Sequence, residues 1–290
     1  MEYSIIRLAP DMSTRRAVFS ARMILVTVNY LIAAVLLAGS AVLPQASNVS
    51  RKNYPPVIKD SVDRRSKAER EWRRMLDAYG IAQTPPDFYP ITNTPRSLLG
   101  VADAIQILDY KPDPGDESLA LREAVKGFVD RWRDLLGVDP ATISLVNADE
   151  SSDTKRLTFR QSNYAYPIGG NFGEMVIVLS KSGALMQLDD RFVPLVDVPL
   201  KPVIERDIAG KKVVGKTFTY SDIAGREQRT QINSPAEVNV KRLVILPIVK
   251  SDAVEIHLAW EVIAGTSLSW TVFVDAITGD ELRVVQNFNT

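Results

Sequence analysis

The chemistry open to this chain is limited first by its single histidine. The 290 residues include no cysteine and one histidine, His257. These counts exclude a cysteine nucleophile, a thiolate metal site, a disulfide framework and any site that needs two histidines. His257 falls between apolar residues of a predicted strand, and the sequence has no G-x-S-x-G motif to supply a serine nucleophile. We therefore predict that His257 is an ordinary surface residue and that the protein is not an enzyme.

A glycine-rich stretch, residues 169–173 (GGNFG), is the next candidate. Glycine-rich loops cradle phosphates when a lysine follows and a helix begins there. This stretch has no such lysine, and it opens a predicted strand rather than a helix. Because glycine readily adopts positive φ, we interpret the stretch as a turn and predict no cofactor site in it.

Acidic side chains offer the remaining candidates. Asp149, Glu150 and Asp153 lack the spacing of an EF-hand calcium loop, so a solvated turn is the simpler interpretation. Two pairs of carboxylates would suit acid–base catalysis if their members met in space, which sequence alone does not show. These pairs are Asp189 with Asp190, and Glu255 with Glu261. The sequence predicts no catalytic, cofactor-binding or metal-binding residue.

Composition describes an ordinary globular protein. Hydrophobic residues make up 46% of the chain and charged residues 24%, so a sizeable core can form. Lysine plus arginine and aspartate plus glutamate are 35 each, which gives a formal net charge of zero. A nucleic-acid-binding protein needs a basic excess, so we predict no nucleic-acid partner.

One segment, residues 23–43 (MILVTVNYLIAAVLLAGSAVL), is almost entirely apolar and therefore bears on where in the cell the protein is located. About 20 apolar residues cross a bilayer as a helix, so this segment predicts a transmembrane anchor that follows a cytoplasmic segment, residues 1–22. The small residues 39–41 also suit cleavage of a signal peptide, which would remove residues 1–41. A buried core helix is a third interpretation. The first two place residues 44–290 outside the cytoplasm, membrane-anchored or else secreted or periplasmic.

Residues 44–110 read as a linker and helical spacer. Residues 44–58 are polar and contain prolines, as linkers do. Residues 59–79 predict a charged helix that ends at Gly80, and residues 97–108 predict a shorter helix. The run KPDPGD at residues 111–116 is the clearest candidate for a domain boundary.

The next predicted unit, residues 111–200, begins with a strong helical pattern. Apolar residues recur on one helix face from Leu121 to Leu136, and Gly137 ends the helix. Phe128 and Trp132 lie on that face and should cover the sheet that follows. Strands are predicted at residues 142–147, 156–161, 175–180 and 184–189. Residues 175–179 (MVIVL) are apolar on both faces, which predicts a central strand.

The last predicted unit, residues 201–290, repeats the plan of a helix followed by antiparallel strands. A helix of about three turns is predicted from Ile204 to Gly215, although Gly210 weakens it by about 1 kcal/mol. Residues 254–262 alternate so that Glu255, His257, Ala259 and Glu261 share one face, which should meet solvent. The other strands are predicted at residues 216–220, 227–232, 241–249, 267–275 and 281–286. The predicted fold class is therefore α+β, with two tandem units of a helix on a curved antiparallel sheet.

The C-terminal pattern resembles a known family. The stretches HLAWEV (257–262) and SWTVFVDAITGDEL (269–282) resemble the PepSY-type module that ends the propeptides of thermolysin-like metalloproteases. Upstream, RQSNYAYPIGGNFGEMVIVLSKSGAL (160–185) resembles the fungalysin/thermolysin propeptide (FTP) module. Together these resemblances span about residues 117–288. They imply a helix packed on a curved antiparallel sheet, in agreement with the periodicity.

The departure from the family limits what the resemblance implies. A thermolysin-like catalytic domain has a His-Glu-x-x-His helix, whereas His257 is followed by Leu258-Ala259-Trp260. The resemblance implies the propeptide fold and its binding habit without proteolysis. Our leading hypothesis is a non-catalytic extracytoplasmic protein-binding module with an unidentified protein partner. The alternative is an inhibitor or folding helper that acts in trans on a thermolysin-like metalloprotease.

Overall fold

The structure, a computed structural model, describes residues 53–98, 104–107 and 117–289. The predicted cytoplasmic segment, the apolar segment 23–43 and the boundary at 111–116 lie outside these residues. Within them, no helix is both long and apolar enough to cross a bilayer. The described residues belong to one unit, residues 46–290, which is α+β with antiparallel sheets.

A short strand and a long helix open the described chain. Strand β1 (Val57–Lys59) precedes helix α1 (Val62–Ala78), and the Ser61 hydroxyl caps the helix by accepting a hydrogen bond from the Arg64 N–H. The helix predicted at residues 59–79 is thus confirmed with a later start. The linker prediction for residues 44–58 is wrong at its end, because β1 pairs with a strand near the C-terminus. That partner lies too far along the chain for a local pattern to reveal it.

A four-stranded antiparallel sheet forms the centre of the first half. Its strands lie in the order β4 (Ile143–Glu150), β5 (Thr154–Gln161), β6 (Glu174–Ser180) and β7 (Leu185–Asp190). Strand β6 pairs with both β5 and β7, which confirms the prediction of an inner strand at residues 175–179. Its odd-numbered apolar side chains are buried and its even-numbered ones are only partly buried, so this sheet has one covered face.

Helices cover the buried face of this sheet. The apolar stripe forms α2 (Glu117–Arg131) and α3 (Arg133–Leu136), and Gly137 ends α3 with a φ of 68°. Phe128 and Trp132 share one core cluster with Met175 and Ile177, so their predicted core position is confirmed. Trp132 is 2% exposed.

The helix predicted at residues 97–108 is wrong in its described part. Strand β2 (Asp87–Phe88) pairs with β3 (Pro95–Ser97), and Gln106 forms a β-bridge with Ala184. Leu98 and Ile105 are fully buried. Neither residue belongs to an α-helix, so their apolar side chains join the core from irregular backbone, which a short apolar run does not distinguish from a helix.

A second antiparallel sheet occupies the C-terminal half. It contains β10 (Val238–Val249), β11 (Ala253–Ala264), β12 (Trp270–Asp275) and β13 (Glu281–Gln286). Strand β10 pairs along one edge of β11, whereas β1 and β12 share the other edge. Between those two partners, the Ile256 N–H donates to the Pro56 carbonyl at 3.0 Å. The N-terminal segment thus completes the edge of a C-terminal strand.

The second predicted helix is shorter than expected. Helix α4 (Arg206–Lys211) has six residues rather than about three turns. A Cβ at Gly210 would lie 3.0 Å from Cγ2 of Val240, so this glycine lets α4 approach the sheet closely. A separate hairpin of β8 (Thr217–Ser221) and β9 (Glu227–Gln231) follows, and Phe218 stacks on Trp270 with ring centroids 4.7 Å apart.

The prediction that one face of residues 254–262 meets solvent is wrong. His257 is 6% exposed and Ala259 is 0% exposed, while Glu255 and Glu261 are partly buried. Ala259 packs in a small cluster with Val244, Leu246 and Phe273. Strand β11 is therefore covered on both faces.

Candidate functional site

His257 is held between two carboxylates. Its Nδ1 lies 2.7 Å from Oδ2 of Asp275, and its Nε2 lies 3.3 Å from Oε2 of Glu255. The side chain of Asp275 is 1% exposed. The prediction of a surface histidine is therefore wrong. Its burial depends on residues that are remote in sequence, including Tyr54, whose ring meets the imidazole edge-on at a centroid distance of 5.8 Å.

Asp275 is the centre of this cluster. Its Oδ1 accepts hydrogen bonds from the N–H groups of Ile277 at 2.7 Å and Thr278 at 2.9 Å. Its Oδ2 accepts one from the Tyr54 hydroxyl at 3.0 Å. Burial alone would raise the pKa of Asp275, but the hydrogen bonds from His257, these two N–H groups and Tyr54 lower it below its usual value. The carboxylate therefore orders the turn after β12.

Tyr54 joins this cluster to the edge of β11. Its hydroxyl oxygen accepts a hydrogen bond from the Leu258 N–H at 3.0 Å, in the gap between β1 and β12. Burial, followed by the charge of Asp275, raises the pKa of Tyr54 well above its usual value, so the phenol stays protonated and donates to Asp275. Residues 54–59 are thereby fastened to the C-terminal sheet.

Both ring nitrogens of His257 lie within hydrogen-bond distance of a carboxylate. General-base catalysis by histidine needs a free ring nitrogen within reach of a nucleophile. The Nε2 of His257 instead faces Glu255, which lies 3.4 Å from the Lys250 ammonium. In the part of the chain that the structure describes, no group of three or more acidic or histidine side chains is placed to hold a metal ion.

The carboxylates at Asp189 and Asp190 do not form a pair. Asp189 is partly exposed and binds the Arg191 guanidinium. Asp190 is fully buried, and its Oδ1 accepts a hydrogen bond from the Phe192 N–H at 2.9 Å. Burial raises the pKa of Asp190 to about 8. Because neighbouring residues of a strand face opposite sides, these two side chains project from opposite faces of the sheet.

The other acidic candidates are also separated. Glu255 contacts His257, whereas Glu261 accepts a hydrogen bond from Arg242 at 2.9 Å. Asp149, Glu150 and Asp153 are exposed, but Asp149 and Glu150 end strand β4 and only Asp153 lies in the turn, so the predicted turn is wrong for the first two residues. Glu150 forms an ion pair with Lys181.

The glycine-rich stretch forms the predicted turn and packs on the second sheet. Gly170 and Gly173 have φ values of 70° and 74°. A Cβ at Gly169 would lie 3.2 Å from Cγ2 of Val244. Next to the turn, Ile168 forms a β-bridge with Ile245 on the outer edge of β10. The sequence predicted that these residues form a turn, but it did not predict that the turn packs on the second sheet. A turn pattern contains no information about what the turn packs against.

In the described chain, the outer edge of strand β4 is open, as is the outer edge of β13. Strand β4 pairs with β5 and with no other described strand. From Val146 to Glu150, every residue of β4 is exposed. The Ser151 N–H donates to the Thr154 carbonyl at 2.9 Å across the hairpin. Because bonded and non-bonded residues alternate in antiparallel pairs, the backbone polar groups of Ala148 and Glu150 point away from β5.

Comparisons with known proteins add little beyond this geometry. No family model matches the sequence, and no curated protein matches it. Among solved structures, the chain is similar to the Bacillus megaterium YpeB C-terminal domain, with 15% sequence identity and a TM-score of 0.34. The similarity covers 80% of this chain and 99% of that domain. At that identity and TM-score, nothing follows about what this chain binds.

Proposed function

We propose that this chain is a non-catalytic protein-binding module outside the cytoplasm, and that it binds an extended segment of a partner protein by strand addition to β4. The observation that carries the proposal is the open edge from Val146 to Glu150. The location rests on the predicted membrane or signal segment at residues 23–43. The resemblance to PepSY and FTP modules supports a binding role.

An open strand edge is an effective binding surface because its N–H and C=O groups are already aligned. An added strand forms main-chain hydrogen bonds with these groups, and side-chain pairs supply the specificity. Most proteins protect such edges. The outer edge of β10, for comparison, carries Pro247 and is bonded at Ile245 to residues 167 and 169. Strand β4 has neither protection.

The charges on β4 indicate the kind of partner. Asp149 and Glu150 lie next to each other on the strand, so their side chains project from opposite faces. Opposite charges at facing positions of paired strands stabilise the pair, and like charges destabilise it. A partner segment that places lysine or arginine across from these residues is therefore favoured, and an acidic segment is disfavoured.

Site-specific crosslinking tests the proposal in native membranes. A photoreactive p-benzoylphenylalanine replaces Val146, which is 44% exposed on the open edge. We expect a discrete crosslinked protein that disappears with Ala148→Pro, because proline removes an outward-pointing N–H and blocks strand addition. Val284→Pro is the matched control. The Asn287 N–H donates to the Ser269 carbonyl. Because residues that bond to β12 alternate with residues that do not along β13, the Val284 N–H points away from β12, at the outer edge of the second sheet.

Three outcomes separate the hypotheses. Loss of the crosslink in Ala148→Pro but not in Val284→Pro supports strand addition. An unchanged crosslink in Ala148→Pro, or no adduct above background, contradicts it. Addition of the purified full chain to thermolysin tests the alternative, since inhibition or improved refolding of the enzyme would favour a trans-acting inhibitor or folding helper.

A further inference from the structure

A groove beside the glycine-rich turn has an apolar end and a cationic end. We call it the arginine groove. The two ends adjoin, because they share the lining residues Tyr89, Phe172, Arg191, Pro247 and Val249. No residue of β4 lines either end. The groove is therefore separate from the strand edge that carries the proposed function.

The apolar end is a small pocket. Its remaining walls include Ile91, Phe192, Val193 and Val254. Its volume is about 40 Å³, compared with the ~10–15 Å³ that one water molecule needs. A pocket of this size and lining suits a single apolar side chain rather than a long acyl chain.

The cationic end contains two arginines and no carboxylate in its lining. Arg191 is paired with Asp189. Arg283 makes only a long hydrogen bond, 3.4 Å, to the Gly170 carbonyl, and no described carboxylate forms an ion pair with it. Two neighbouring arginines, unlike Arg283, form ion pairs with carboxylates: Arg160 with Glu174 and Arg242 with Glu261. Arg283 is thus the cation best placed to bind an external anion.

The turn adds two further donors. Gly170 and Asn171 line the cationic end and have φ values of 70° and 67°. Within the described chain, neither backbone N–H donates a hydrogen bond. Unpaired N–H groups of a turn, together with arginine, form the kind of concave site that captures a carboxylate.

We propose that the arginine groove binds the C-terminal residue of a peptide whose last side chain is apolar. The carboxylate binds Arg283 and the turn, while the side chain enters the apolar pocket. Arg191 and Phe172 line both ends, so the anion and the apolar group must be separated by only a few atoms. An α-carboxylate and a side chain on the same Cα meet this requirement.

Fluorescence polarisation with the purified full chain tests this site. The probe is a fluorescein-labelled pentapeptide of glycine and serine that ends in leucine with a free carboxylate. We expect saturable binding that weakens at least tenfold when the probe ends in a carboxamide. Arg283→Gln should weaken binding by at least tenfold, and Arg242→Gln, its matched control, by less than twofold.

The pocket needs a test that does not depend on charge. Val249 is 58% exposed and lines both ends, so Val249→Phe should block the pocket without unfolding the protein. Val284→Phe is the control at an exposed valine outside the groove. Binding that is equal for acid and amide probes, or absent up to millimolar protein, overturns the proposal. Displacement of the probe by octanoate but not by acetylleucine assigns the groove to fatty acids and also overturns it.

The groove and the strand edge can fail independently. Ala148→Pro should leave probe binding within twofold of the parent protein. If it abolished probe binding, the groove would not be a separate site. If the probe failed to bind but crosslinking through Val146 persisted, the proposed function would stand without this inference.

Discussion

The two antiparallel sheets differ in how much of their surface the rest of the chain covers. The first sheet buries one face under helices α2 and α3 and leaves the edge of β4 open. The second sheet is covered on both faces around β11, and residues 54–59 complete its edge. The comparison indicates that the second sheet fastens distant parts of the chain, whereas the first carries the edge at which we propose strand addition.

Of the substitutions considered, weakening the packing of the helices on the first sheet should reduce the stability of the protein most. Trp132→Ala removes a side chain that is 2% exposed in the main core cluster. We expect a loss of ~3–5 kcal/mol in the free energy of unfolding, enough to unfold a domain of ordinary stability. Urea denaturation measures it, with Val146→Ala as an exposed control. A denaturation midpoint equal to that of the parent protein would show that this helix does not cover the core.

Asp190 should make the first sheet less stable as the pH rises from ~4 to 8. Its Oδ2 has no hydrogen-bond partner among the described residues, and burial raises its pKa from 3.8 to about 8. The folded state therefore holds this proton more tightly than the unfolded state does. The resulting stability is fully present below pH ~4 and is lost as the pH rises toward 8.

The variant Asp190→Asn tests this dependence because it removes the titrating group. Between pH 5 and 8, the parent protein should lose stability more steeply than the variant, by up to ~1.4 kcal/mol for each pH unit. Denaturation midpoints across this range give both slopes. Parallel slopes would mean that Asp190 is already ionised in the folded protein.

The attachment of residues 54–59 to the second sheet should depend on the hydroxyl of Tyr54. Tyr54→Phe removes the donor to Asp275 and leaves the Leu258 N–H without its acceptor. We expect a loss of ~1–3 kcal/mol and faster hydrogen exchange at residues 54–59, with exchange in β5 and β6 unchanged. Tyr220→Phe, in the aromatic cluster beside Trp270, is the control. Unchanged exchange at residues 54–59 would show that other contacts hold this segment.

Surface ion pairs should have the smallest effect in either sheet. Arg160 pairs with Glu174 on the first sheet and Arg242 pairs with Glu261 on the second, and both arginine side chains are at least half exposed. We expect Arg160→Gln and Arg242→Gln each to cost less than ~1 kcal/mol. A clearly larger loss for either variant in thermal denaturation would indicate a less solvated environment than the structure shows.

Local patterns predicted the parts of the fold that local interactions determine. The helical stripe around Phe128 and Trp132, the inner strand at residues 175–179 and the turn at residues 169–173 all follow from periodicity or backbone preference. Strand β1 and the burial of His257 do not, because both depend on contacts between the two ends of the chain. Tyr54 and Leu258, for example, are 204 positions apart.

The binding surfaces were still harder to predict. An edge strand and a strand paired on both edges can have the same alternation of apolar and polar residues. The sequence of residues 143–150 therefore does not show that one edge of this strand is open. The arginine groove combines Tyr89, Phe172, Arg191, Val249 and Arg283 from five separate segments. Only the tertiary structure brings these residues together.

Residue-resolved hydrogen exchange of the purified full chain tests the open edge most directly. We predict alternation along β4, with slow exchange at Asn147 and Asp149, which bond to β5, and fast exchange at Ala148 and Glu150, which point outward. Val284→Pro should leave this pattern unchanged. Slow exchange at all four amides would mean that another segment or a second copy already covers β4, and it would contradict the proposal that the edge is free to bind a partner.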